Sequence, residues 1–420
     1  MMPKIALMNK YKSLIFFVTL LFLFSFLSAQ PVLKAFPQHC QYFEGVIKPN
    51  HIPQKQLDDS VRVFYNNWKE RYINDDAGED QYYIWTEGSV GKNKCVSEGQ
   101  GYGMIIVALM AGYDTASQKV YNGLFHYYKS HPSNDSKFLM AWAQTGFLKN
   151  VDGSSASDGD IDIAYSLLLA NAQWGSEGNI NYLVEAKSIL SAIMEQEINP
   201  KAFSVLLSNS VKPDSKDFFD MRSSDFMPAH FKVFKNVLDN KLWINVIDNN
   251  YKLFGFLQSK YSQEAGLIPD FIEHINSKPV PSHPNYLESE YDGSYNYNAC
   301  RVPWRIATDF IINGDIRSKI FVEKINKWIR NTTQNNPDNI SAGYSLEGDD
   351  MRKRNFEAMS FISSFAVSAM VDSKNQIWLN SLWDYIIGFD LDQYDYYDNT
   401  IKMFTMIILS GNYWAPVQKY

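Results

Sequence analysis

The chain predicts an all-α fold, and three observations carry that expectation. Apolar residues recur at helical spacing in about a dozen segments. Clusters of Gly, Asn, Asp, Ser and Pro separate these segments. No run alternates strictly enough, or recurs often enough, to build a dominant sheet.

In chain order, the first helix is expected over Gln54–Arg71, where Leu57, Val61, Phe64 and Trp68 fall every three or four residues. Gly103–Ala111 follows, carried by the apolar run Ile105–Met110, and then Ala116–Tyr128. Ile161–Trp174 contains the run Leu167–Ala170, and its end, Trp174, is assigned to the core. Ile180–Glu195, Ser224–Val237 and Leu242–Lys260 repeat the pattern, as do Arg301–Ile312 and Arg317–Arg330. Ala358–Met370, Gln376–Ile387 and Asn399–Leu409 complete it. Breaker clusters at Asp75–Asp80, Asn150–Ser155, Pro279–Pro284 and Asn331–Asn339 mark loops. No linker rich in Pro, Ser or Thr divides the chain, so one large helical domain is expected.

The N-terminus reads differently. Lys4, Lys10 and Lys12 precede an apolar run from Leu14 to Leu27 that ends in Ser28-Ala29-Gln30. A basic start, a short apolar middle and small residues at a cut near Ala29 form a secretory signal, residues 1–29, so export from the cell is expected. A retained anchor is the alternative, and no second spanning segment follows.

The net charge of −7 lacks the clustered Lys and Arg that phosphate binding needs, so nucleic acid is not expected as a partner. The three cysteines, Cys40, Cys95 and Cys300, are an odd number without metal-ligand spacing. A Cys40–Cys95 bridge is conceivable, but small buried thiols are the simpler expectation. No metal or cofactor is expected, and a monomer is.

Two segments stand out for chemistry. Ser97-Glu98-Gly99-Gln100-Gly101-Tyr102-Gly103-Met104 and Ala156-Ser157-Asp158-Gly159-Asp160-Ile161-Asp162-Ile163-Ala164 each set carboxylates beside glycines at the mouth of an apolar helix. A carboxylate there sits in a favourable field, and glycines let backbone approach a ligand closely. Paired sites of this kind suit acid/base work on a neutral polar substrate. A third segment, Tyr297-Asn298-Ala299-Cys300-Arg301-Val302-Pro303-Trp304-Arg305, places two arginines one helical turn apart, suited to pairing with nearby carboxylates.

Together these three motifs resemble glycoside hydrolase family 8, and the likeness runs from about Phe36 to Gly411-Asn412-Tyr413-Trp414. The resemblance implies an (α/α)6 barrel, six inner helices within six outer ones, and a catalytic domain spanning 36–420. It implies Glu98 as proton donor, with the glycines leaving room for a sugar ring, and Asp158 as the carboxylate holding the sugar at the cleavage point. Asp160 and Asp162 look like capping or salt-bridged helix-start residues.

The family's commoner members carry Asp where this chain has Asn298, and an amide is no useful base. The branch with Y-N-A-C-R is similar and keeps its base as a Glu in a loop just upstream, which here points to Glu288, with Glu290 and Asp292 as the next candidates. The resemblance also marks Trp142, Tyr102 and Phe361 as sugar contacts, with Asn298 beside them. Two carboxyl groups about 6.5–9.5 Å apart leave room for a water and invert the anomeric centre.

The implied activity is a secreted endo-β-1,4-glycosidase acting on a polysaccharide or oligosaccharide: β-glucan or cellulose, lichenan, or chitosan. Chitosanase-like members have a Trp before D-S-K and S-D-W later; Pro213 and Phe226 stand there instead. Xylan is less favoured, because xylanase-like members keep the Asp. A non-catalytic glycan-binding relic and a polysaccharide lyase on an (α/α) barrel are the alternatives. Keeping both Glu98 and the upstream Glu pair argues against a relic. The absence of a Tyr/His and Arg clamp for an acidic sugar argues against a lyase.

Overall fold

The computed structural model describes residues 31–351 and 358–416. The proposed signal segment lies outside them. Twelve α-helices are described. They are α1 Gln54–Tyr72, α2 Ser97–Leu109, α3 Ser117–Ser130, α4 Ser157–Trp174, α5 Tyr182–Gln196 and α6 Pro228–Leu238. The second half holds α7 Leu242–Tyr261, α8 Val302–Asn313, α9 Ile316–Thr332, α10 Met359–Ala369, α11 Gln376–Ile387 and α12 Tyr396–Leu409.

Even-numbered helices form a closed inner ring. α2 packs along α4, α4 touches α6, and the contacts continue through α8, α10 and α12 back to α2. Each odd-numbered helix packs outside one of them: α1 on α12, α3 on α2, α5 on α4, α7 on α6, α9 on α8 and α11 on α10. This is an (α/α)6 barrel. The sequence separates the two rings. Outer α1 is amphipathic and buries Leu57, Val61, Phe64, Trp68 and Tyr72 along one stripe. Inner α2 is apolar all round, and Glu98 is its one residue that is not fully buried.

Helix starts differ from expectation where local chemistry outweighs the breaker signal. α2 begins at Ser97, six residues before the expected Gly103. Each mid-helix glycine costs about 1 kcal/mol relative to Ala, yet here glycine permits contacts that no side chain could. A Cβ on Gly101 would stand 2.7 Å from Asp162 Cβ, and one on Gly159 would stand 2.3 Å from Ser97 Oγ and 2.6 Å from its carbonyl carbon. α2 and α4 therefore meet backbone to backbone at their first turns. The expectation that these glycines make room for a sugar is corrected: Gly99, Gly101 and Gly103 face Tyr396, Asp162 and Ile84. α6 starts at Pro228 behind a short 3-10 turn, Ser223–Asp225, because Pro fits the first helical position. α12 starts at Tyr396, where Asp395 accepts from the Asp398 N–H at 3.1 Å.

Among the described residues, strands occur only as two- and three-stranded ribbons in the loops. Two of them matter for the cleft. Cys95–Val96 pairs with Ala143–Gln144 just before α2, and Met221–Arg222 pairs with Phe271–Glu273. All three cysteines are free thiols, so no Cys40–Cys95 bridge forms. Trp174 is buried, as expected. No helix of the described residues is long and apolar enough to cross a membrane.

Candidate active site

The N-terminal turns of the inner helices converge on one cleft of about 910 Å³. Glu98 comes from α2, Asp158 from α4, Asn298 and Arg301 from the turn before α8, and Asp395, Tyr397 and Asp398 from the start of α12. Helix N-termini present unpaired N–H groups and a positive field, so acidic side chains collect there at little cost. Glu288, Leu287, Trp142 and Arg222 reach the same cleft from loops and ribbons.

One guanidinium organises the centre. Arg301 Nη1 donates to Glu98 Oε2, to Asp158 Oδ2 at 2.9 Å and to the Tyr102 hydroxyl at 3.3 Å. Its Nη2 donates to Asn298 Oδ1 at 2.9 Å, and Asn298 Nδ2 donates to Glu288 Oε2 at 2.7 Å. Hydrogen bonds thus run unbroken from Glu98 through Arg301 and Asn298 to Glu288. Arg301 is fully enclosed, so its charge is well compensated only by such ideal partners.

The carboxylates differ in their surroundings. Burial pushes the Glu98 carboxyl up to about 7, and the Asp158 charge adds to that, although Arg301 opposes both. Burial works against the Asp158 charge too, but Arg222 and Arg301 outweigh it and hold its pKa below the usual carboxylate value. Two neighbouring carboxyl groups at one site are therefore separated, one ready to give a proton and one kept charged. Glu288 is half-exposed, with 46% of its side chain open to solvent.

The loop that carries Glu288 is shaped by Asp292, whose carboxylate accepts from the N–H groups of Leu287, Glu288 and Ser289 at 2.7, 2.9 and 2.8 Å. Asp292 is fully buried in that task, and exposed Glu290 does not line the cleft. Of the three acidic candidates in this loop, Glu288 alone lines the cleft with Glu98. Below Asn298, Asp270 accepts from the N–H groups of Asn296 and Ala299 at 3.0 and 2.6 Å and locks the turn.

Trp142 lines the cleft beside Glu98: its carbonyl accepts from the Ser97 N–H at 2.8 Å, and its indole donates to Asp152 at 2.9 Å. Two expected sugar contacts do not reach the cleft. Tyr102 is 1% exposed beneath Arg301, against Trp304 and Phe404. Phe361 is fully buried, edge-on to Tyr297 at 5.3 Å, so it supports a cleft wall from behind. Both corrections have the same cause. Inner-ring residues one or two turns from a helix start already lie within the barrel core. Asp162 is held by Arg305, at 2.5 and 3.0 Å, with His230 at 3.1 Å, while Asp160 accepts from the Met140 N–H at 2.8 Å.

Sequence reasoning missed Arg222, Asp225, Asp270 and Tyr397. Arg222 Nη2 lies 3.3 Å from Glu288 Oε1, and its Nη1 lies 3.7 Å from both Asp158 and Asp225. The only hint was an Arg three residues before an Asp at the edge of the helix expected over Ser224–Val237. Tyr397 donates to the Tyr297 carbonyl, and the two rings share one part of the cleft lining.

A cleft at the helix starts of an (α/α)6 barrel, with carboxyl groups at contrasting pKa, has the groups that acid/base hydrolysis needs. Residues 58–411 match the family described as Glycosyl hydrolases family 8, and the chain belongs to that family; it is a glycoside hydrolase. It is 43% identical to a beta-glucanase of Niallia circulans over 91% of both chains. It is 38% identical to an endoglucanase of Bacillus sp. (strain KSM-330), over 92% of this chain and 82% of the relative. The apo structure of a beta-1,3-1,4-glucanase from Paenibacillus sp. X4 superposes with a TM-score of 0.87 at 42% identity, over 91% of this chain and 99% of that one.

Proposed function

We propose that the protein is a secreted, inverting endo-glycosidase that cleaves β-1,4 bonds in β-glucan, with mixed-linkage β-1,3-1,4-glucan as its main substrate. The observation that carries the reading is the shared cleft of Glu98 and Glu288, joined through Arg301 and Asn298. The substrate class is supported by the names of the relatives, and export by the basic and apolar start of the chain. Asp217, Asp395 and Asp398 also line the cleft, so charge alone would admit chitosan, and the substrate panel below includes it.

In this mechanism Glu98 delivers its proton to the glycosidic oxygen as the bond to the anomeric carbon breaks. Glu288 takes a proton from the water that attacks that carbon from the opposite face. The products are an alcohol and a hemiacetal of inverted configuration, and solvent exchange resets both carboxyl groups. Asp158 holds the distorted sugar, while Trp142 stacks on a ring face. Asn298 is an adaptation to the moved base: its amide can accept from Arg301 and donate to Glu288 at once, whereas an Asp could only accept.

The test is direct. Glu98→Gln and Glu288→Gln should each lower kcat on barley-type β-glucan by roughly 10²–10⁴-fold or more with an unchanged melting curve. Full activity in either variant removes that residue from its role. Proton NMR of the first products should show the α-anomer; a β-anomer appearing first would mean retention. Reducing-sugar release across mixed-linkage glucan, cellulose, chitosan and xylan decides the substrate.

A further inference from the structure

We propose that Arg222 is a positioning residue for the reaction, clamping the Glu288 carboxylate and tying it to Asp158 so that both keep one geometry around the sugar. The proposal rests on Glu288 being the base.

Three observations support the clamp. Arg222 is itself held firmly. It lies in a strand paired with Phe271, its guanidinium sits 5.5 Å from that ring, and Asp225 stands behind it. Its two terminal nitrogens reach different elements, one toward Asp158 at the start of α4 and the other toward Glu288 in its loop. Glu288 lacks any such anchorage of its own. Its loop backbone is fixed by Asp292, but its half-exposed side chain is held by Arg222 on one oxygen and Asn298 on the other. Each oxygen therefore keeps a lone pair for a water, and the plane of the carboxylate is set. A fork-shaped guanidinium can serve two carboxylates in this way where an ammonium cannot.

The charge balance adds a second signature. The groups facing Arg222 are Asp158 from α4, Asp225 from its own turn, Glu288 from the loop and Arg301 from the turn before α8; Glu98 from α2 feels it through space. Removing this cation makes every nearby carboxyl harder to ionise. Glu98, the acid, then keeps its proton to a higher pH.

The experiment is kcat and kcat/KM against pH for Arg222→Met and Arg222→Lys on soluble β-glucan, with thermal melting and with Glu288→Gln measured alongside. Expected for Arg222→Met is a kcat loss of about 10²-fold from a displaced base, with the alkaline limb, set by Glu98, moved to higher pH. Arg222→Lys should keep the alkaline limb near its original position yet lose about tenfold in kcat. Loss of the cation alone would move that limb, so the clamp is read from Arg222→Lys, which keeps the charge but not the fork: unchanged kcat there overturns it. The same variant decides if Arg222→Met does not fold. Full activity in Glu288→Gln removes the base assignment and the clamp with it. Unchanged kcat in Arg222→Lys beside an inactive Glu288→Gln sinks the clamp alone.

Discussion

At position 298 a single atom separates two arrangements of the same site. The Asn298 amide nitrogen donates to Glu288 at 2.7 Å, and an Asp would put a second carboxylate there. Asn298→Asp should lower kcat at least tenfold, since an ionised Asp can only accept and would lose the hydrogen bond that holds Glu288; steady-state kinetics equal to the parent would show that the amide bond is dispensable. The acid carries a pH signature of its own. In the proposed role of acid Glu98 must be protonated to act, and its carboxyl is raised to about 7. Activity should therefore fall as pH rises through about 7, read as the alkaline limb of kcat/KM. A flat profile from pH 6 to 9 would place the proton elsewhere. Phe361, fully buried behind Tyr297, belongs to packing rather than recognition. Phe361→Ala should cost about 3–5 kcal/mol of stability by urea denaturation.

Between elements, the decisive contact is α2 against α4. It was legible only in part: the paired glycine and carboxylate motifs mark the two helix starts, but their glycines read as ligand space when they are helix contacts. Periodicity reports which face of a helix is buried, not how closely two backbones approach. Gly159→Ala sets a methyl group against Ser97 backbone and should destabilise by about 1–3 kcal/mol while reducing kcat, because it shifts Glu98 relative to Asp158. Gly255, exposed in the middle of α7 with open space at its Cβ, is the control. Gly255→Ala should stabilise by about 0.5–1 kcal/mol and leave kinetics alone. Equal effects at the two positions would refute the distinction.

Across the whole molecule, buried acidity links folding to pH. Burial raises Glu98, Glu197, Asp225 and Asp270 to about 7. Their unfolded values lie near ~4, so the native state binds more protons between those limits. The stability they contribute is full below ~4 and is lost as pH climbs through about 7. Asp160, raised further still by burial, adds to the trend, while His230, lowered by burial, acts the other way. The melting temperature should fall between pH 5 and 8, and Glu197→Gln, which removes one of the four, should flatten the fall. A melting temperature that rises over that interval would contradict the sign.

Some of this molecule was readable one segment at a time. The twelve helices, the apolar inner members, and the placing of Glu98 and Asp158 close to helix starts follow from patterns that repeat within four residues or lie in a continuous motif, although both helices begin earlier than their apolar runs indicate. Hydrogen bonding and burial along a helix are local, so the chain states them locally. Other features exist only once distant loops meet. Arg222 reaches Glu288 across 66 positions, and Arg301 reaches Glu98 across 203. Which oxygen each cation takes, why Asp292 shapes a loop instead of acting on a substrate, and why Tyr102 and Phe361 are enclosed all depend on closing the ring. Side chains separated by that much chain share no periodicity, and only the packing of six inner helices brings their charges within a few ångströms.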